Sequence, residues 1–163
     1  MNTLTWNRLL QSNAGLAALV LRIPVGIILA AHGAQKLFGW FGGYGLAGTG
    51  QWMASIGLEP GYLMALLAGS AEFFGGLALI LGFLTRPAAA VSAFTMLVAI
   101  FSVHISYGLF MSNNGYEFAL SLFAATLALA LQGGGSVSID NKLSTLLAKN
   151  KAGQAYAASV KAA

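Results

Sequence analysis

Four long apolar segments dominate this sequence and restrict what it can fold into. They cover about residues 14–38, 61–84, 87–108 and 116–132, and each approaches the length of about 20 residues that a helix needs to cross a bilayer. Of all residues, 58% are hydrophobic and only 7% are charged, whereas soluble domains carry roughly 25% charged residues. We therefore predict an all-α integral membrane protein, a four-helix bundle formed by a single domain over residues 1–163.

The basic residues predict the orientation of this bundle. Arg8 precedes the first segment, Arg86 separates the second from the third, and lysines follow the fourth, so with four spans all of them lie on one side. Positive charge marks the cytoplasmic side, and we expect both termini there. The basic tail over residues 140–163 is predicted to carry a short amphipathic helix on the membrane surface. The Gly39–Gly61 connection, rich in glycine and aromatics, is predicted to be a re-entrant or interfacial loop.

The composition excludes several kinds of function. The chain has no cysteine, which rules out thiol–disulfide chemistry and cysteine-ligated iron–sulfur or zinc sites. The formal net charge of +4 does not indicate nucleic-acid binding, because no cluster of Lys and Arg lies beside aromatics in a polar segment. Any redox role must therefore use a bound cofactor, a quinone or a partner protein.

Ionisable residues interrupt all four apolar segments. They are Arg22, His32 and Lys36 in the first, Glu72 in the second, His104 in the third and Glu117 at the start of the fourth. Such a residue in hydrocarbon costs at least about 2.5–3.5 kcal/mol on insertion scales, so it usually faces the bundle interior and finds a partner. Counting depth along the helices, we expect Arg22 to pair with Glu72 and the other four to gather nearer the outer face. The latter four are the candidate catalytic residues.

Each of these residues also has a purely structural explanation. The Arg22–Glu72 pair could serve only as a packing clamp, Lys36 could snorkel to the interface, and Glu117 could simply face a helix N-terminus. Either histidine alone is compatible with an ordinary interior position. A functional site is favoured by the conjunction, because ionisable groups on four segments fall largely at one depth.

Small residues predict where the helices approach each other most closely. Gly26 and Gly33 recur in the first segment, and Gly69 and Gly76 share one face of the second. Small residues at such spacings let membrane helices pack backbone against backbone. The pattern indicates helix packing rather than a site.

Four stretches of the sequence carry a family resemblance. They are LVLRIPVGIILAAHGAQKLFG, GGYGLAGTGQWMASIGLEPG, AEFFGGLALILGFLTRPAA and NGYEFALSLFAATLALALQGGGSVSID. Together they resemble the DoxX family of small bacterial membrane proteins. The resemblance implies four spans, the bacterial inner (plasma) membrane and a redox-linked context, since relatives are associated with a quinol oxidase, a thiosulfate:quinone oxidoreductase or oxidative-stress systems. It implies no agreed catalytic residues.

The first functional hypothesis is a quinone-linked oxidoreductase subunit or accessory protein, with a buried polar site that opens to the outer face. His32, His104 and Glu117 would bind the quinone head group, and Lys36 with Glu117 would relay protons outward. The aromatic residues expected to wall the ring are Phe38, Phe73 and Phe101.

Two other classes of function stay open at this point: a small-solute transporter or binding protein, and a membrane scaffold for a soluble redox enzyme. A haem between His32 and His104 ranks below the quinone, and so does a metal bound by these histidines with Glu117. The expected partner is the lipid bilayer, and no nucleic acid is expected. A redox partner protein and a homo-oligomer both remain open.

Overall fold

The computed structural model describes residues 10–161, and six α-helices lie within them. The helices are α1 (Ala17–Phe38), α2 (Gly45–Ser55), α3 (Gly61–Leu81), α4 (Thr85–Ala99), α5 (Glu117–Gln132) and α6 (Ile139–Lys161). Beyond α4 the chain continues as a π-helical turn over Ile100–His104 and a 3₁₀ turn over Ile105–Tyr107. The predicted all-α class is confirmed.

Three segments are long and apolar enough to cross a membrane. They are Ala17–Phe38, Gly61–Leu81 and Thr85–Tyr107, the last of which joins α4 to the turns that follow it. The fourth predicted segment forms α5, which is apolar but only 16 residues long. At the helical rise it measures about 24 Å, somewhat less than a hydrocarbon core of about 30 Å. All four apolar segments are therefore helical, and α5 is the short one.

The four apolar helices pack in a closed ring, in which α1 contacts α3, α3 contacts α4, α4 contacts α5, and α5 contacts α1. Glycines set the contact between α1 and α3. A Cβ added at Gly26 would lie 2.7 Å from the carbonyl oxygen of Gly76, and one at Gly33 would lie 2.7 Å from that of Gly69. The close approach predicted from the glycine spacing is confirmed. The fully buried leucines of the core are Leu29, Leu79 and Leu129.

The connection between α1 and α3 contains a helix, α2, where its composition suggested a loop. This helix packs on the first turns of α3, so closely that a Cβ added at Gly50 would lie 2.9 Å from the Cα of Tyr62. Thr49 and Met53 are buried in this contact region. The glycines here therefore serve close helix packing as well as turns, and composition alone does not separate these two uses.

One end of the bundle, where α1 and α4 begin and α3 and α5 end, is called the arginine end below. Distant charged side chains satisfy the helix termini there, because the terminal backbone groups of a helix have no partner within it. The Asp140 carboxylate accepts hydrogen bonds of 2.7 and 2.8 Å from the amides of Leu84 and Thr85, at the start of α4. Arg86 donates to the last carbonyls of α5.

The predicted tail helix is longer than expected. It begins at Ile139, beside the buried Asp140, and runs for 23 residues to Lys161. Leu143, Leu146 and Leu147 are exposed along it, as an amphipathic surface helix requires. Its position on a membrane surface stays a prediction.

Candidate functional site

A cavity of about 110 Å³ lies inside the bundle at the opposite end, called the histidine end, where α1 finishes and α5 begins. All four apolar segments contribute to its wall. The lining residues are Leu29, His32, Lys36, Glu72, Met96, Ala99, His104, Phe118, Ala119 and Leu122. Glu72 is buried and His32 is exposed. The wall of the cavity therefore includes both a buried carboxylate and an exposed histidine.

An ion pair between α1 and α3 forms the polar wall of the cavity. Lys36 Nζ lies 2.6 Å from Glu72 Oε2, and this is the one salt bridge among the side chains that the structure describes. The side chain of Glu72 is 5% exposed and that of Lys36 is 24% exposed. The pair presents a hydrogen-bond donor and an acceptor side by side. A buried ion pair is weak evidence of stabilisation.

Lys36 also lines a larger groove of about 740 Å³ between the end of α1 and α2. The groove residues besides Lys36 are Gln35, Gly42, Gly43, Tyr44, Gly48, Thr49, Gln51 and Trp52. Lys36 is the residue that this groove shares with the cavity. Lys36 therefore stands between a surface groove and the interior of the bundle.

The predicted pairing of Arg22 with Glu72 is wrong. Arg22 is 2% exposed and donates to backbone carbonyls at the arginine end. Two of its acceptors are carbonyls at the end of α3, that of Leu79 at 2.9 Å and that of Ile80. The other two are carbonyls of the α5–α6 connection, that of Gly134 at 3.2 Å and that of Val137. Its guanidinium is thus a helix cap and a tether for that connection.

The physical reason for this error is helix register. The glycine contacts align α1 and α3 antiparallel with Gly26 beside Gly76 and Gly33 beside Gly69, and the same alignment sets Arg22 beside the last turn of α3. The partner left within reach of Glu72 is Lys36, four residues beyond His32 on the same face of α1.

His104 lies on the π-helical turn that follows α4. His104 lines the cavity, and its Nδ1 is 2.7 Å from the carbonyl oxygen of Asn114. π-helical turns inside helices are rare and frequently occur at functional sites. The structure thus brings His104 to the same cavity as His32, Lys36 and Glu72, as the depth estimate predicted for the two histidines. The π turn itself was not predicted.

Glu117, the fourth candidate catalytic residue, does not line the cavity. It is the first residue of α5, and its Oε1 accepts a hydrogen bond of 2.7 Å from the amide of Met111. It therefore closes the loop before α5, much as the structural explanation of a carboxylate at a helix N-terminus suggested. Within residues 10–161, no group of three His, Asp or Glu side chains is placed to hold a metal ion, so the metal set with His32 and His104 is not formed.

The aromatic wall of the cavity was missed by sequence reasoning. It is formed by Phe118, whose ring centroid lies 5.8 Å from that of His32. Phe38 and Phe73 instead pack edge to face on each other, 5.2 Å apart and outside the cavity, and Phe101 is 67% exposed. The spacing of Phe118 and Leu122, four residues apart on one face of α5, is the signal that could have found it.

Known proteins resemble this chain over most of its length. The protein-family model described as DoxX matches residues 17–105. "Inner membrane protein YqjF" of Escherichia coli (strain K12) is 36% identical over 126 residues, which cover 77% of this chain and 90% of that protein. "Putative oxidoreductase CatD" of Bacillus subtilis (strain 168) is 33% identical over 125 residues, covering 77% and 85%. "Inner membrane protein YphA" of Escherichia coli (strain K12) is 33% identical over 129 residues, covering 76% and 88%. No solved structure matches the chain.

Proposed function

Because this chain belongs to the DoxX family of membrane proteins, we propose that it is an inner-membrane protein that binds a quinone head group as a subunit or accessory of an oxidoreductase system. One observation carries the proposal. A small cavity between four apolar helices is lined by two histidines and an ion pair, and it is open at one side. The name of the Bacillus subtilis relative supports an oxidoreductase context.

At about 110 Å³ the cavity is smaller than a cavity of about 150 Å³ that encloses benzene in another protein. It would therefore enclose only part of a single ring and leave the rest of the ligand outside the bundle. The ring would enter between α1 and α5, where His32 meets Phe118, and leave its tail in the bilayer. A porphyrin needs far more space than this cavity offers, so the geometry disfavours the haem considered for His32 and His104.

The chain's own residues supply what a quinone site requires. Lys36 Nζ is a donor for a ring oxygen, and Glu72 beside it is an acceptor. Leu29, Met96 and Phe118 give apolar surface for the faces of the ring. A bound quinone would supply an acceptor of two electrons and two protons. Lys36 also lines the surface groove, which supports a role in moving protons between the cavity and water.

The proposal includes a topology with four spans and both termini in the cytoplasm. Arg86 and the start of α6, which carries Lys142, lie at the arginine end, and the histidine end carries Lys36 as its one Lys or Arg among the described residues. The positive-inside rule then makes the arginine end cytoplasmic. The groove at the histidine end faces outward, and α6 lies along the inner surface of the bilayer.

The test is the affinity of the protein in lipid nanodiscs for duroquinone, measured by calorimetric titration. Phe118→Leu should weaken binding about two- to tenfold, the usual range for an aromatic contact, and Lys36→Met by about tenfold or more through loss of the charged donor to a ring oxygen. The matched controls are Phe101→Leu, at an exposed ring, and Lys142→Met, at an exposed lysine of α6 outside the cavity. Equal affinities for all four variants would contradict the site.

A small-solute binding or transport function is the second candidate. The observation that favours it is the groove of about 740 Å³, which meets the cavity at Lys36. Against alternating access through broken helices, α1 runs unbroken through Pro24. Solute uptake into proteoliposomes that is abolished by Lys36→Met, together with absent duroquinone binding, would favour this candidate over the first.

A further inference from the structure

The hydrogen bond of His104 fixes which of its ring nitrogens carries the proton. Nδ1 lies 2.7 Å from the carbonyl oxygen of Asn114, and a carbonyl oxygen can only accept. Nδ1 must therefore be the donor. In the neutral ring the other nitrogen, Nε2, is then a lone-pair acceptor. Nε2 has no hydrogen-bond partner among the groups that the structure describes, and His104 lines the cavity.

The carbonyl that imposes this tautomer is held by a closed loop. Asn114 adopts a left-handed backbone conformation with φ of 62°, which Asn tolerates better than most residues. The amide of Tyr116 donates to the carbonyl of Gly108 at 3.0 Å, and Glu117 Oε1 accepts from the amide of Met111 at 2.7 Å. The position of the Asn114 carbonyl is therefore determined by the whole loop and by one carboxylate.

We propose that Asn114 and Glu117 are positioning residues that hold His104 as a hydrogen-bond acceptor, so that the cavity recognises the hydroquinone form of its ligand in preference to the quinone. The identity of the ring rests on the proposed function, whereas the tautomer of His104 does not. A hydroxyl of the hydroquinone donates to Nε2. A carbonyl oxygen at the same place would oppose one lone pair to another and leave both groups unsatisfied.

The other polar groups of the cavity do not discriminate in this way. The Lys36–Glu72 pair offers both a donor and an acceptor, so it serves a hydroxyl or a carbonyl. His32 makes no hydrogen bond with any residue that the structure describes, and it is exposed. Its ring is free to present either nitrogen. Discrimination between the two redox forms therefore belongs to His104.

The tautomer is tested by nitrogen NMR of the protein labelled with ¹⁵N-histidine, at about pH 8, where an ordinary histidine is neutral. The chain has only two histidines, and His32→Gln assigns them. We expect His104 to be protonated at Nδ1. Glu117→Gln should keep this state, because an amide oxygen still accepts from Met111, whereas Glu117→Ala should shift the ring toward the Nε2-protonated form. A wild-type His104 protonated at Nε2 would overturn the proposal.

Two variants of Asn114 separate its backbone from its side chain. Asn114→Gly removes the side chain but readily adopts positive φ, so the tautomer should be unchanged. Asn114→Val is β-branched and strained in that conformation, so the tautomer should shift as it does in Glu117→Ala. The opposite ranking of these two variants would show that the carbonyl of residue 114 does not position His104.

Recognition is tested by anaerobic titration of the nanodisc protein with duroquinone and with its hydroquinone. We expect the hydroquinone to bind about tenfold more tightly, the effect of one hydrogen bond gained and one unsatisfied acceptor avoided. The preference should persist in Glu117→Gln and fall below about threefold in Glu117→Ala. Equal binding of the two forms would overturn the recognition and leave the quinone site standing. Binding of neither form would overturn the proposed function and this recognition together, whatever the NMR result.

Discussion

The contact between α1 and α3 makes Gly33 the position where the smallest substitution should cost most. In Gly33→Ala the new Cβ would lie 2.7 Å from both the carbonyl oxygen of Gly69 and the Cα of Phe73, and closer still to the amide nitrogen of Phe73. Ordinary contact begins at 3.4 Å. The backbones must therefore separate by the difference, about 0.7 Å or more, because none of these atoms can rotate away.

Overpacking of this kind usually costs about 1–3 kcal/mol. We expect about 2–3 kcal/mol for Gly33→Ala, since the obstacles are backbone atoms and small residues are what hold membrane helices together. The free energy of unfolding can be measured by reversible titration from mild detergent into SDS, with tryptophan fluorescence and far-ultraviolet circular dichroism as independent signals.

Gly153→Ala is the matched control, because Gly153 lies in α6 with nothing within 4 Å of an added Cβ. Alanine is the better helix former, so this variant should unfold like the wild type or be up to about 1 kcal/mol more stable. If Gly33→Ala unfolds at the same SDS fraction as Gly153→Ala, the backbone contact between α1 and α3 is not the tight one described above.

Three further predictions concern the arginine end and the topology. Arg22→Lys should lower the free energy of unfolding by about 3 kcal/mol or more in the same SDS titration. A single ammonium cannot reach carbonyls on two separate segments, and each buried acceptor left unpaired costs about 1–3 kcal/mol. Stability equal to the wild type would refute the capping role. Asp140→Asn should weaken the cap of α4 by about 1–2 kcal/mol and speed tryptic cleavage at Lys142, whereas unchanged cleavage would show that α6 is not anchored there. Because the chain has no cysteine, single cysteines can report the orientation. Ser112→Cys should react with an impermeant maleimide from outside intact cells, and Gln154→Cys should react only after lysis. The reverse pattern would invert the proposed orientation.

The sequence predicted a shared depth for part of the cavity lining. His32, Lys36 and His104, expected at one level, do line one cavity, because intramembrane ionisable groups must turn inward and helical rise gives their depth. Glu72, expected in an inner layer with Arg22, lines the same cavity instead. Glu117, expected with the first three, does not line it. Its depth was suitable, but a residue at the first position of a helix can turn to the preceding loop, and neither composition nor periodicity distinguishes the two directions.

The sequence by itself determined the features that depend on local physics. An apolar segment in lipid must satisfy its backbone internally, so the four segments had to be helical. Gly82 ends α3 in a left-handed conformation with φ of 65°, which glycine adopts without strain.

Only the tertiary structure decided the partners across helices. Periodicity states which face of a helix turns inward, but it leaves the sliding of one helix along another undetermined, and one turn of sliding exchanges every partner. The glycine contacts between α1 and α3 select one register. In that register Lys36 pairs with Glu72, and Arg22 lies beside the end of α3. The π turn at His104 and the loop that orients its ring likewise depend on contacts between distant segments, which no local pattern encodes.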